Sequence, residues 1–139
     1  MMPIKKDAVV AIIQKADTFL FIKRSDYINT AAGYWCPVSG RIEENETQIE
    51  ALEREVNEEV GLAVKAIKKI SEIPSHDNQF KLHFWTTEII SGEASITSNE
   101  ATDFKWVTLE QMKQLHPVFE EDIEVIEKYI NNKISQLSR

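Results

Sequence analysis

Twenty-three consecutive residues, Gly40 to Leu62, carry eight glutamates and two arginines, a net −6 out of the chain's formal −7. No other stretch limits the fold as much, because so many like charges need a place where they are tolerated. Thr47, three residues before Glu50, forms a capping box and Gly61 is a suitable stop, so a helix of about four turns is expected between them. At about 100° per residue, with Ile49 at zero, Val60 falls at about 20°, Val56 at about 340° and Leu52 at about 300°, one stripe for burial. Glu59 at about 280°, Glu55 at about 240° and Glu58 at about 180° share the adjoining flank. The small Ala51 is expected to keep that flank open.

Glu55 stands at i, i+4 from Glu59 and at i, i+3 from Glu58, where like charges repel by roughly 0.2 to 0.5 kcal/mol per pair even in solvent. Partial burial increases the cost. Carboxylates placed so close together either rise in pKa or hold a cation, and converging hard oxygen ligands suit Mg²⁺ or Mn²⁺. A solvated acidic face balanced by lysines elsewhere is the plain alternative.

Read from Gly40, the spacing is five residues, Glu46, seven residues, Arg54-Glu55, apolar Val56, Asn57, Glu58-Glu59, Val60, Gly61 and apolar Leu62. This resembles the signature of the Nudix hydrolase family, G-x5-E-x7-R-E-U-x-E-E-x-G-U with U apolar, at every position. On average residue usage a chance match over the whole chain is on the order of 10⁻⁶. The resemblance implies an α/β fold, a Nudix-type α/β/α sandwich with a mixed sheet. It also implies metal-dependent hydrolysis of a pyrophosphate bond in a nucleoside diphosphate linked to another group. Glu55, Glu58 and Glu59 match the family's metal-binding glutamates, and the carbonyl of Gly40 matches a backbone ligand. Arg54 can orient a carboxylate or pair with Glu46 from behind the metal ligands. The family draws its general base from the box or from a loop outside it, which leaves Glu55 or Glu58 first and Glu100 second.

Outside the box, Glu100 lies six residues before Trp106, and family members often place a further metal-binding or basic glutamate ahead of a similar strand. Its other reading is an exposed loop acid. Arg24, at the end of a strand, resembles the family's arginine for substrate phosphates and would be equally ordinary as a surface charge. Trp35 and Tyr34 could stack a base or sugar, although a tryptophan beside Pro37 also suits a core. His76, His83 and His116 share no metal-like spacing and receive no role. The stretch after the box lacks the proline or tyrosine spacings associated with the ADP-ribose and dinucleoside-polyphosphate branches, which favours a nucleoside triphosphate. Hydrolysis of a nucleotide sugar or ADP-ribose, and nucleotide sensing without turnover, are the alternatives.

The remaining pattern completes one domain over residues 1–139. Ala8 to Gln14 and Thr18 to Lys23 are β-branched or aromatic runs that read as a hairpin across Lys15-Ala16-Asp17, and Ser25 to Gly33 reads as a loop. Leu62 to Ile70, Phe80 to Ile90 and Phe104 to Thr108 are strand-like, and Ala94 to Thr97 is expected to pair back across Ser91-Gly92. From Phe119 a stripe of Ile123, Ile126, Ile130, Ile134 and Leu137 marks a terminal helix that packs on the core.

The acidic balance argues against a nucleic-acid polymer or an anionic membrane as partner, leaving a small nucleotide and the option of a homodimer. The longest apolar run near the start, Ala8 to Ile13, is six residues, against about 20 for a membrane span. With a single cysteine, Cys36, read as a small core residue, the cytoplasm is the expected compartment.

Overall fold

A computed structural model describes residues 6–26 and 31–137. The first strand, β1 (Lys6–Ile12), is buried on both faces, which explains its unbroken apolar run. Val9 and Ala11 face one core while Val10 and Ile12 face another, the alternation of a strand placed between two layers. β1 pairs antiparallel with β5 (Val38–Arg41) and parallel with β7 (Phe80–Ser91). With β6 (Ala63–Pro74) added to β7, the order β5-β1-β7-β6 makes a mixed sheet. A second, antiparallel sheet joins β2 (Gln14–Lys15), β3 (Thr18–Arg24), β4 (Trp35–Cys36) and β8 (Ala101–Val107).

Helix α1 (Gln48–Val60) covers the first core with Leu52, Val56 and Val60. The short α2 (Leu109–Met112) and the terminal α3 (Glu120–Leu137) cover the second with Met112, Ile123 and Ile126. Helices thus lie on both sides of the sheets, the layered arrangement expected from the sequence. Among the described residues no helix is long and apolar enough to cross a membrane.

Four local expectations change. The hairpin expected across Lys15-Ala16-Asp17 forms, with its turn at Ala16 (φ 56°), but it is short: it closes β2 on β3, while the rest of the first run, β1, pairs in the other sheet. Ala94 to Thr97 forms no strand, because its backbone donors go to the end of α1. Ile49 is 41% exposed while Ala51 and Glu59 are buried, so the buried arc of α1 is turned away from Ile49 toward the acidic flank. Alanine at position 51 lets the helix close on the sheet, and that flank is packed where it was expected to stay open. The stripe of α3 ends before Ile134, which is 57% exposed as the helix runs past the sheet. Part of the loop expected over Ser25 to Gly33, residues 27–30, lies outside the described residues.

Candidate active site

The capping box fixes where α1 begins: the Thr47 hydroxyl accepts from the Glu50 N–H, and the Glu50 carboxylate accepts from the Thr47 N–H. Gly61, in the left-handed region at φ 73°, ends it. With both ends set, Glu55 faces β5. Opposite it stands Gly40, where a Cβ would collide with the Glu55 side chain. Only glycine lets that carboxylate lie against the strand.

Carboxylate oxygens of Glu55, Glu59 and Glu100 lie within 4.8 Å of one another. Glu59 is 3% exposed, and its Oε2 has no hydrogen-bond partner. Burial pushes the Glu59 carboxyl up to about 8, with Glu100 and Glu55 adding to the rise. Burial likewise raises Glu55 to about 7 against the opposing pull of Arg54. Three acids gathered around one buried carboxylate are costly unless they are protonated or share a cation.

Arg54 stands behind this cluster. Its Nε and Nη2 donate to the two oxygens of Glu46 at 2.6 and 3.0 Å, a bidentate pair. Nη1 donates to Glu55 Oε1 at 2.9 Å and Glu58 Oε2 at 3.2 Å, and Nη2 also reaches the Arg41 carbonyl at 3.1 Å. The guanidinium holds Glu46 well below the usual carboxylate range, at about 2.

Glu58, expected among the metal ligands, is not brought into the trio. Its side chain is 55% exposed and paired with Arg54, one helical turn back on α1. Glu100 joins the trio from the loop before β8.

A cavity of about 650 Å³ opens in front of the cluster, with Gly40, Glu55, Glu100 and Arg24 on its wall. Tyr34 lines it too and stacks on Phe119, the ring centroids 4.7 Å apart. Trp35, expected to stack substrate, is 7% exposed and belongs to the second core, with Lys105 Nζ 5.0 Å from its ring. Its neighbour Tyr34 takes the cavity side, as adjacent residues of an extended chain do. Cys36 is buried, and burial raises its thiol to about 12.

Sequence reasoning missed Asp122. It is 5% exposed, lines the cavity, and burial raises its carboxyl to about 7, with Glu121 adding and Arg24 opposing. A signal was present: Asp122 precedes Ile126 by four residues and so sits on the packing face of α3. His76, also on the cavity wall, has its ring 5.9 Å from that of Phe119.

Residues 4–129 match the family profile of the NUDIX domain. The NAD-capped RNA hydrolase NudC of Haemophilus influenzae is 21% identical over 109 residues, 78% of this chain and 41% of that protein, so the chain spans about two fifths of that relative's length. An 8-oxo-dGTP diphosphatase of Buchnera aphidicola subsp. Schizaphis graminum is 29% identical, with 76% of this chain and 78% of that protein aligned. Among solved structures, the MutT protein of Methanosarcina mazei Go1 superposes with a TM-score of 0.80 at 21% identity, covering 93% of this chain and 95% of that one. With the box intact, the carboxylates gathered beside Gly40 and a profile match over most of its length, the chain belongs to the Nudix hydrolase family.

Proposed function

We propose that this protein hydrolyses a pyrophosphate bond in a nucleotide, with Mg²⁺ or Mn²⁺, and that the substrate is a nucleoside triphosphate. The observation that carries this reading is the trio of Glu55, Glu59 and Glu100, with the buried, unpartnered Oε2 of Glu59 among its oxygens. Hard oxygen donors of this kind fit Mg²⁺ or Mn²⁺, and these three side chains would hold the ion. Such an ion neutralises phosphate oxygens and lowers the pKa of water. Gly40 keeps Glu55 against β5, and Arg54 aims it through Oε1. Proton removal from the attacking water falls to Glu55 or Glu100, since both line the cavity and Glu58 does not. Arg24, on the same wall, is placed to meet the phosphates.

The rest of the cavity suits a base. Ala8, Val10 and Leu82 give it an apolar side, the stacked Tyr34 and Phe119 an aromatic one, and Asp122 a single buried hydrogen-bonding group. Its volume lies within the range of about 300 to 1,000 Å³ usual for small-ligand sites. The test is a panel of nucleotides, nucleotide sugars and ADP-ribose with Mg²⁺ and Mn²⁺, resolved by product. Nucleoside monophosphate and pyrophosphate are the expected products. A sugar phosphate as product would move the substrate to the nucleotide-sugar class, and thermal stabilisation by nucleotide without any turnover would leave a binding protein.

A further inference from the structure

The last four carbonyls of a helix have no partners inside it. In α1 they belong to Asn57, Glu58, Glu59 and Val60, and the Gly61 N–H takes the first at 3.0 Å. The other three are all taken by one distant segment. The Ser95 N–H donates to Val60 O at 3.0 Å and the Thr97 N–H to Glu59 O at 3.0 Å. The Thr97 hydroxyl donates to Glu58 O at 2.7 Å, across a separation of 39 residues.

Three residues beyond Thr97 comes Glu100, and that short span is fixed at its far end too. Ser25, 6% exposed at the end of β3, donates its hydroxyl to Asn99 O at 2.6 Å and its N–H to Glu100 O at 2.9 Å. The Glu100 N–H in turn donates to Ser98 Oγ at 3.1 Å. Glu100 is therefore suspended between the helix that carries Glu55 and Glu59 and the strand that carries Arg24.

We propose that Thr97 is a positioning residue for the candidate site: by clasping the end of α1 it sets the Glu100 carboxylate against Glu55 and Glu59, with Ser25 as the second anchor. The proposal rests on the reading of the trio as the metal site of a nucleotide hydrolase. A carboxylate offered from a loop is only as well placed as the loop, and about 1 Å of misplacement at a reacting centre can cost on the order of 10²-fold in rate. The Thr97 hydroxyl acts on the carbonyl just ahead of Glu59, beside the N–H bonds of Ser95 and Thr97 to the same helix end.

Thr97→Val removes the hydroxyl at nearly constant shape and leaves the Thr97 N–H in place, while Thr97→Ser keeps the hydroxyl. Two readouts are needed: the Mg²⁺ concentration that gives half of the metal-induced rise in Tm without substrate, and kcat and KM for the nucleotide that turns over best. For Thr97→Val, half-saturation by Mg²⁺ should rise and kcat should fall, each roughly three- to tenfold for the loss of one hydrogen bond, with KM unchanged. Thr97→Ser should restore both, Ser25→Ala should move them in the same direction, and Thr97→Val should add little to Glu100→Gln. A Thr97→Val protein with a lower Tm but wild-type Mg²⁺ half-saturation and kcat would overturn the proposal, as would full additivity with Glu100→Gln. If Glu100→Gln alone leaves metal binding and turnover at wild-type values, the reading of the trio fails and the proposal falls with it.

Discussion

Arg54 shows what one residue contributes here. Its guanidinium touches Glu46, Glu55 and Glu58 and lies 3.6 Å from Glu43, so a single cation holds four carboxylates in order at the edge of the trio. Glu59 lies beyond its reach, and there the like charge is uncompensated. Glu59→Gln should therefore leave a folded, nearly inactive protein whose metal-free Tm is unchanged or higher, with the rise in Tm on adding Mg²⁺ much reduced. Full turnover at ordinary Mg²⁺ would remove Glu59 from the metal site. Gly40→Ala tests the other wall: the added methyl has to displace Glu55, so kcat should drop by at least about tenfold, the scale of an interaction worth 1.36 kcal/mol. An alanine variant with wild-type kcat would show that Glu55 need not lie against β5. Asp122→Ala should raise KM and change the preference among bases more than it changes kcat, which a comparison of kcat/KM across four triphosphates reads directly.

At the scale of the element, α1 is stable for reasons its composition hides. Glu58 and Glu59 sit in its last turn, where the helix dipole disfavours negative charge, and no basic residue in that turn offsets them. The capping box at Thr47, the fully buried Leu52, Val56 and Val60, and the donors from Ser95 and Thr97 compensate. Thr47→Ala should cost about 1 kcal/mol in urea unfolding with turnover largely kept, since the cap is at the end remote from Glu59. No change in the midpoint would mean that packing alone fixes where the helix begins. The wheel drawn from sequence separated apolar and acidic arcs correctly in order but misjudged their depth. Ile49 extends past the sheet and Glu59 lies under it, because burial depends on where the partner layer stops and no period along the helix records that.

For the whole molecule, the buried acids predict a dependence on pH that metal should reverse. Glu55, Glu59 and Asp122 have folded pKa values raised to about 7, 8 and 7, above the ordinary 4.5, 4.5 and 3.8. The folded state then binds protons more tightly than the unfolded chain, so the stability they contribute is full below the ordinary values and is lost as pH rises through 7 to 8. Glu46, lowered from 4.5 to about 2, has the opposite sign and loses its contribution as pH falls through that interval. In EDTA the Tm should accordingly peak in mildly acidic buffer and decline toward pH 8. With Mg²⁺ the decline should flatten, because the ion prefers the ionised carboxylates. A Tm in EDTA that stays level or climbs between pH 5 and 8 would contradict the burial assigned to these acids.

The sequence by itself determined whatever depends on neighbours one helical turn apart. The span of α1, its caps, the flank shared by Glu55 and Glu59, the family resemblance and the α/β character all follow from spacings of three and four residues or from apolar runs. The sequence offers Glu100, Arg24, Trp35 and Tyr34 as candidates, each with a plainer alternative, and only the tertiary structure decides which distant residues meet at the site. Glu100 meets Glu59 because residues 95–97 are needed to satisfy the end of α1, Asp122 enters the cavity because α3 packs across the second core, and Tyr34 replaces Trp35 because β4 turns the indole inward. The same limit explains the early strands: β1 and β3 are both buried on two faces, and two such runs close in sequence look alike whether they share a sheet or divide between two. Local periodicity carries the geometry of one element, and the meeting of elements is set by packing and hydrogen bonding over separations that no spacing pattern encodes.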